Sequence, residues 1–214
     1  MEMTAPPLVC PVSGLLSIAG VCFLSYLVGA LPFGFLVAKL RGVDDIRLRG
    51  SGNIGATNVM RVLGLPWGAL VLVLDAAKGA FGAWLGLVYL PWGRMGGLLT
   101  GLMAVTGHNW PVFLRFKGGK GVAASLGVVV VLYPVLALFA TAVFASTVLI
   151  SRYVSLGSLV ASWTAFVASL FSFRYDLFDR IAIAVFCILI TVRHKDNIRR
   201  LISGTERKIG ELSR

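Results

Sequence analysis

Three polar segments of the chain carry the residue types that hold phosphate. The first runs Arg49-Gly50-Ser51-Gly52-Asn53-Ile54-Gly55-Ala56-Thr57-Asn58, with Arg61 after it. Closely spaced glycines let successive backbone N–H groups converge into an anion-binding concavity, and a following helix N-terminus adds its positive end. The second begins at Gly107-His108-Asn109-Trp110-Pro111 and continues, past Phe113, as Arg115-Phe116-Lys117-Gly118-Gly119-Lys120-Gly121. Its last seven residues hold three cations and three glycines, so the backbone can approach an anion that Lys meets as a point charge and Arg as a planar fork. The third runs Arg193-His194-Lys195-Asp196-Asn197-Ile198-Arg199-Arg200-Leu201 and leads to Gly204-Thr205-Glu206. On a helix, His194 and Asn197 would share one face and present two hydrogen-bonding groups to one ligand. A polybasic tail that holds anionic lipid headgroups accounts for Arg199, Arg200, Arg207 and Lys208, but leaves His194, Asn197 and Glu206 without a purpose.

Two nucleotide motifs are approached and missed. Gly50, Gly52 and Gly55 satisfy G-x-G-x-x-G, with Asp75 at the distance of a ribose-binding acid. No strand precedes them, however, and Asp75 lies inside an apolar run. The phosphate-loop pattern fails at Lys120, which is followed by Gly121 rather than Ser or Thr. Asp75 and Lys78 stand i and i+3, so an ion pair lowers the cost of placing both in lipid. Lys78 is also a candidate to reach a substrate phosphate. After Arg152, Ser155 and Ser158 can donate hydroxyls to the site or cap a helix, and Ser158 is the one favoured for the site.

The elements that position these segments are apolar. Of 214 residues, 57% are hydrophobic and 14% charged, and the mean hydropathy is +0.88, against about 25% charged residues in ordinary soluble domains. The chain belongs in lipid. The net charge of +11 lies between apolar runs rather than on a soluble face, which excludes nucleic acid as the partner and suits topology signals beside an anion site. Cys10, Cys22 and Cys187 are widely spaced, so neither a disulfide framework nor a metal site is expected. The stretch before Ser13 has no Lys or Arg, unlike a cleavable leader, and the first apolar run reads as a true span.

A spanning helix needs about 20 mainly apolar residues. Seven runs are predicted, giving an all-α integral membrane protein: Ser13 to Lys39, Leu63 to Leu90, Met95 to His108, Gly119 to Leu136, Leu138 to Arg152, Leu156 to Phe173 and Leu177 to Val192. With the N-terminus outside, sixteen Lys and Arg fall on the inner side against three (Arg94, Arg174 and Arg180) on the outer. That asymmetry predicts a cytoplasmic C-terminus. The same assignment brings every glycine-rich polar segment to the cytoplasmic side, although counting charges did not require it. Residues 1–214 therefore read as one domain with one composite site. A transporter of organic phosphates would carry polar residues through to the opposite face, where the connections here are short and plain.

With these residues in view, the chain resembles the acyl-phosphate-dependent glycerol-3-phosphate acyltransferases of bacteria, the PlsY family. The likeness runs through Ser25-Tyr26, Pro32-Phe33-Gly34, Gly50 to Asn58, Gly107-His108, Phe116 to Gly121 and His194 to Asn197. It implies a multi-pass enzyme of the bacterial inner membrane with its active site on the cytoplasmic face. That enzyme transfers an acyl group from acyl phosphate to the sn-1 hydroxyl of glycerol 3-phosphate, giving lysophosphatidic acid and phosphate. No cofactor is implied, and an acyl-phosphate-producing enzyme is an expected neighbour. By the same resemblance Ser51, Arg61, Lys120, His194 and Asn197 line a phosphate-binding hole, with Lys78 and Ser158 nearby. Ser51, Lys120, His194 and Asn197 are the expected catalytic groups. Gly50, Gly52, Asn53, Gly55, Thr57, Asn58, Arg61, Lys78, His108, Lys117, Gly118, Gly119 and Ser158 are expected to bind substrate. One departure is Ala124, where a Thr or similar polar residue is common in relatives. An acyl phosphate is already activated, so positioning and charge stabilisation can replace a covalent nucleophile. Consistently, the HxxxxD pattern of other glycerolipid acyltransferases is absent: Phe113 and Arg199 occupy the places of its Asp.

Overall fold

A computed structural model describes residues 14–210. The expected span start at Ser13, Cys10 and Arg214 lie outside the described residues. Among these, every regular element is helical: α1 (Leu15–Gly29), α2 (Phe33–Leu40), α3 (Ala56–Leu63), α4 (Leu65–Tyr89), α5 (Arg94–Asn109), α6 (Val122–Leu132), α7 (Pro134–Ser151), α8 (Val154–Leu170), α9 (Leu177–Arg193) and α10 (Lys195–Ile202), with short 3-10 turns at Ile46–Leu48 and Val112–Leu114. Three stretches, Leu15–Leu40, Leu65–Tyr89 and Pro134–Ser151, are long and apolar enough to cross a membrane. Two of the other expected runs coincide with the shorter apolar helices Val122–Leu132 and Val154–Leu170, and the remaining two overlap α5 and α9.

Prolines explain two of the boundaries that differ from expectation. The first run is broken, because Pro32 has no N–H to continue the ladder of α1. The carbonyl of Leu31 freed at the break accepts a hydrogen bond of 2.8 Å from Lys78 Nζ on α4. The fifth run begins at Pro134 instead of Leu138, since proline suits the first helical position. The fourth begins at Val122, three residues later than expected, which leaves Lys120 in the preceding loop.

Helix α4 runs through the centre, packed on α1, α3, α5 and α6. A Cβ on Gly79 would strike the backbone of Ala124, and one on Gly86 would strike the backbone of Gly96. Such small-residue seams bring helix backbones together where lipid supplies no hydrophobic drive for association. At the end of the bundle away from the glycine loops, Asp176 caps α9: its carboxylate accepts from the Asp179 N–H at 2.9 Å. Asp179 is buried and accepts from the Tyr133 hydroxyl at 2.5 Å, with an Arg94 guanidinium nitrogen 3.3 Å away.

Candidate active site

The first glycine segment folds around one side chain. The carboxamide oxygen of buried Asn58, on α3, accepts from the Ser51 N–H at 2.7 Å, and its nitrogen donates to the carbonyls of Asn53 at 2.7 Å and Arg49 at 3.1 Å. Gly50, at φ +58°, passes so close that a Cβ would collide with the Asn58 oxygen. Asn53 Oδ1 accepts from the Gly55 N–H at 2.8 Å, closing the turn into α3. Asn58 thus shapes the loop: its polar atoms are spent within it.

The second segment is tied down from both sides. Arg115 and Phe116 both have positive φ (53° and 62°), an uncommon turn for residues with side chains. The chain then turns back so that the Gly119 N–H donates to the His108 carbonyl at 3.0 Å. From α9, Arg193 donates to the carbonyls of Gly119 at 2.8 Å and Gly118 at 2.9 Å. A Cβ on Gly119 would strike His108 Nε2, so the buried imidazole is the bed on which the loop lies. Its Nδ1 is 3.4 Å from Asp75 Oδ1.

The third segment orients the reactive-looking groups. The Glu206 carboxylate accepts from Ser155 Oγ at 2.8 Å, Asn197 Nδ2 at 2.6 Å and Arg200 Nε at 2.7 Å. Burial acts to raise its pKa, but these three donors outweigh burial and lower it. Because a carboxylate only accepts, Asn197 must turn its nitrogen toward Glu206 and its oxygen the other way. That oxygen accepts from Lys120 Nζ at 2.6 Å. Burial lowers the Lys120 pKa to about 8, with Glu206 acting against the shift and Arg200, Arg61 and Arg193 adding to it. His194 follows α9 directly, and its Nδ1 lies 2.8 Å from the Ile190 carbonyl. A carbonyl cannot donate, so Nδ1 carries the proton and Nε2 keeps a lone pair. Burial, reinforced by the charge of Lys120, lowers the His194 pKa to about 4.

These three segments and the start of α8 enclose one cavity of about 120 Å³. Ser51, Arg61, Lys120, His194 and Asn197 line it, as do Asn53, Gly55, Thr57 and Asn58 of the first loop, with His108 and Ser158. Other expected residues lie elsewhere. Lys117, Gly118 and Gly52 face a neighbouring basic concavity with Arg193, Lys195 and Arg200, and Gly50 faces a smaller one beside Arg207. Lys78 does not line the cavity. Its ammonium is buried, 2.7 Å from Asp75 Oδ1, and is spent on that ion pair and on the Leu31 carbonyl.

Glu206, Ser155 and Asp75 line the cavity without having been placed among the site residues. The signal for Glu206 and Ser155 was their polarity beside apolar helices, but their pairing across the fold has no local trace. Among the described residues, no group of His, Cys, Asp and Glu is arranged to hold a metal ion. Directly below lies a second cavity of about 220 Å³, walled by α6, α7, α8 and α9 and almost wholly apolar. The two share Leu72, Val122, Ala123, Phe144 and Ser158. A cation-lined chamber thus adjoins a greasy one across a shared rim.

A family model described as glycerol-3-phosphate acyltransferase matches residues 19–204. The chain belongs to that family. A glycerol-3-phosphate acyltransferase of Symbiobacterium thermophilum is 45% identical over 198 residues, covering 92% of this chain and 97% of its own. The crystal structure of PlsY, an integral membrane glycerol 3-phosphate acyltransferase, in its glycerol 3-phosphate form superposes with a TM-score of 0.85 at 42% identity, over 91% of this chain and 96% of that one. Its lysophosphatidic acid form superposes with a TM-score of 0.83 at the same identity and coverage. Like PlsY, this acyltransferase-family chain is an integral membrane protein, and its regular elements among the described residues are all helical.

Proposed function

We propose that this chain transfers a fatty acyl group from acyl phosphate to the sn-1 hydroxyl of glycerol 3-phosphate, giving lysophosphatidic acid and inorganic phosphate in phospholipid synthesis. The observation that carries this reading is that the cation-lined cavity and the apolar one meet at a shared rim of Leu72, Val122, Ala123, Phe144 and Ser158. Family membership and the likeness to PlsY with glycerol 3-phosphate and with lysophosphatidic acid support it. In this reading the chain is one domain over residues 1–214 with seven spans: α1 and α2 together, then α4 to α9. Its N-terminus is outside, its C-terminus is cytoplasmic, and its site faces the cytoplasm of a bacterial cell at the inner membrane. There an enzyme that makes acyl phosphate would be a natural neighbour.

Lys120, Arg61 and the backbone amides of the Gly50 to Gly55 loop hold phosphate oxygens, Ser51 donates its hydroxyl, and His194 and Asn197 align the groups around the carbonyl. Lys117 and Gly118 guide anions from the neighbouring concavity. The glycerol hydroxyl oxygen attacks the acyl carbonyl carbon, the bond from that carbon to the phosphate oxygen breaks, and phosphate leaves with the electron pair. The hydroxyl proton goes to a phosphate oxygen of the donor. His194, with its pKa lowered to about 4, is a hydrogen-bond acceptor of low basicity, which leaves the donor's own phosphate as the base. Purified protein given acyl phosphate and glycerol 3-phosphate should form lysophosphatidic acid, with acyl-CoA and acyl-carrier protein run in parallel. Product from either thioester but none from acyl phosphate would replace the donor, and no product from any would remove the reading.

A further inference from the structure

We propose that the far end of the apolar cavity is a ruler, in which Leu136 and Ile183 set the longest acyl chain that is transferred efficiently. The proposal rests on the reading that this cavity receives the donor's chain. Its mouth is the rim shared with the polar cavity, at Val122, Phe144 and Ser158. From there α6 descends from Val122 to Val129, α8 from Ser158 to Ala165 and α9 from Ile190 to Ile183, all lining residues. Each descent is seven residues, about 10 Å at helical rise. The walls therefore end at one level, where Leu136 of α7 and Ile183 of α9, both buried and both lining the space, belong to one apolar cluster.

What lies one turn further makes this end firm. Tyr133, three residues before Leu136, donates its hydroxyl to Asp179, four residues before Ile183, at 2.5 Å. Arg94 lies 3.3 Å from the other Asp179 oxygen and 5.7 Å over the Tyr133 ring, and Tyr175 meets that ring edge-on at 5.4 Å. A methyl terminus pushing past Ile183 would have to part a buried carboxylate from its partners, which costs far more than a methylene gains by burial. The cluster is a polar plug beneath an apolar shaft. A space of 220 Å³ exceeds the roughly 150 Å³ cavity that accepts benzene, so it has room for a stretch of hydrocarbon chain.

The test is the kcat/KM of the purified enzyme for a homologous series of acyl phosphates with glycerol 3-phosphate. Wild type should fall steeply beyond one chain length. Ile183→Ala should raise the first rejected donor about fifteenfold, two further methylenes at roughly fourfold each, while short donors stay within twofold. Ile183→Phe should lower the longest accepted donor by about the same factor and spare short ones. Leu136→Ala and Leu136→Phe repeat the pair from another helix should Ile183 variants not fold. A flat wild-type series, or variants that move every donor by one factor, would overturn the ruler, because the chain end would then lie in lipid. If wild type uses only a thioester donor, the phosphate reading fails separately and the same series in that donor tests the ruler.

Discussion

The two ends of the helical bundle each bury polar groups, and they do so in opposite ways. At the far end, Asp179 is matched by Tyr133, Arg94 and the α9 cap, so one carboxylate is met by its donors and the cluster is complete. At the looped end, Glu206 answers Ser155, Asn197 and Arg200, while Lys120 meets a neutral amide oxygen and Arg193 two backbone carbonyls. A closed polar cluster locks helices. One whose cations rest on neutral oxygens, with a cavity beside it, is built for something that arrives from outside.

Substitutions can break that contrast, and the largest effect should come from the looped end. Lys120→Ala should lower kcat/KM by about a thousandfold, the scale of one preorganised charge-stabilising donor, with the melting temperature little changed. Near-normal turnover would remove Lys120 from the mechanism. Glu206→Ala frees Asn197 to turn and strands two other donors, and should cost about a hundredfold in kcat/KM together with a lower melting temperature. Loss of stability alone, with turnover per folded molecule intact, would make Glu206 another closed cluster like Asp179.

The pH profile sharpens the comparison further. Lys120 binds phosphate in its charged form, so with a pKa of about 8 the KM for glycerol 3-phosphate should climb as pH rises above 8, by up to tenfold per unit. Its folded-state pKa is depressed, so neutral Lys120 becomes the main form above that value. His194, with a pKa of about 4, should contribute no limb near 6.5, and any limb near 6 belongs to substrate phosphate. His194→Ala should accordingly leave a measurable rate. The smallest effect belongs to the far end: Asp176→Ala removes the α9 cap and should cost about 1 kcal/mol in stability, with turnover within twofold.

Much of this arrangement was legible in the residues. Apolar runs located the helices, the Asp75 and Lys78 spacing foretold their ion pair, and glycine with charge marked the loops that meet at one cavity. Boundaries slipped where a proline outweighed hydropathy, at Pro32 and Pro134. Roles slipped where a side chain had a choice of partners. Asn58 and Lys78 are polar residues in the right neighbourhood, but only the fold decides that one is spent on its own loop and the other on the Leu31 carbonyl. Ser155 and Glu206 are 51 residues apart, and nothing local announces a contact at that separation.

The placement of Glu206 also bears on how the protein is made. It follows all ten α-helices of the described residues in chain order, so during translation Ser51 and Lys120 are made long before the carboxylate that turns Asn197 toward Lys120. Until that last connection emerges and docks against Ser155, the nascent chain holds a basic hollow without its organiser. In the acyl transfer proposed above, turnover would therefore begin only once this last connection has docked, so that half-built copies would not consume activated acyl groups.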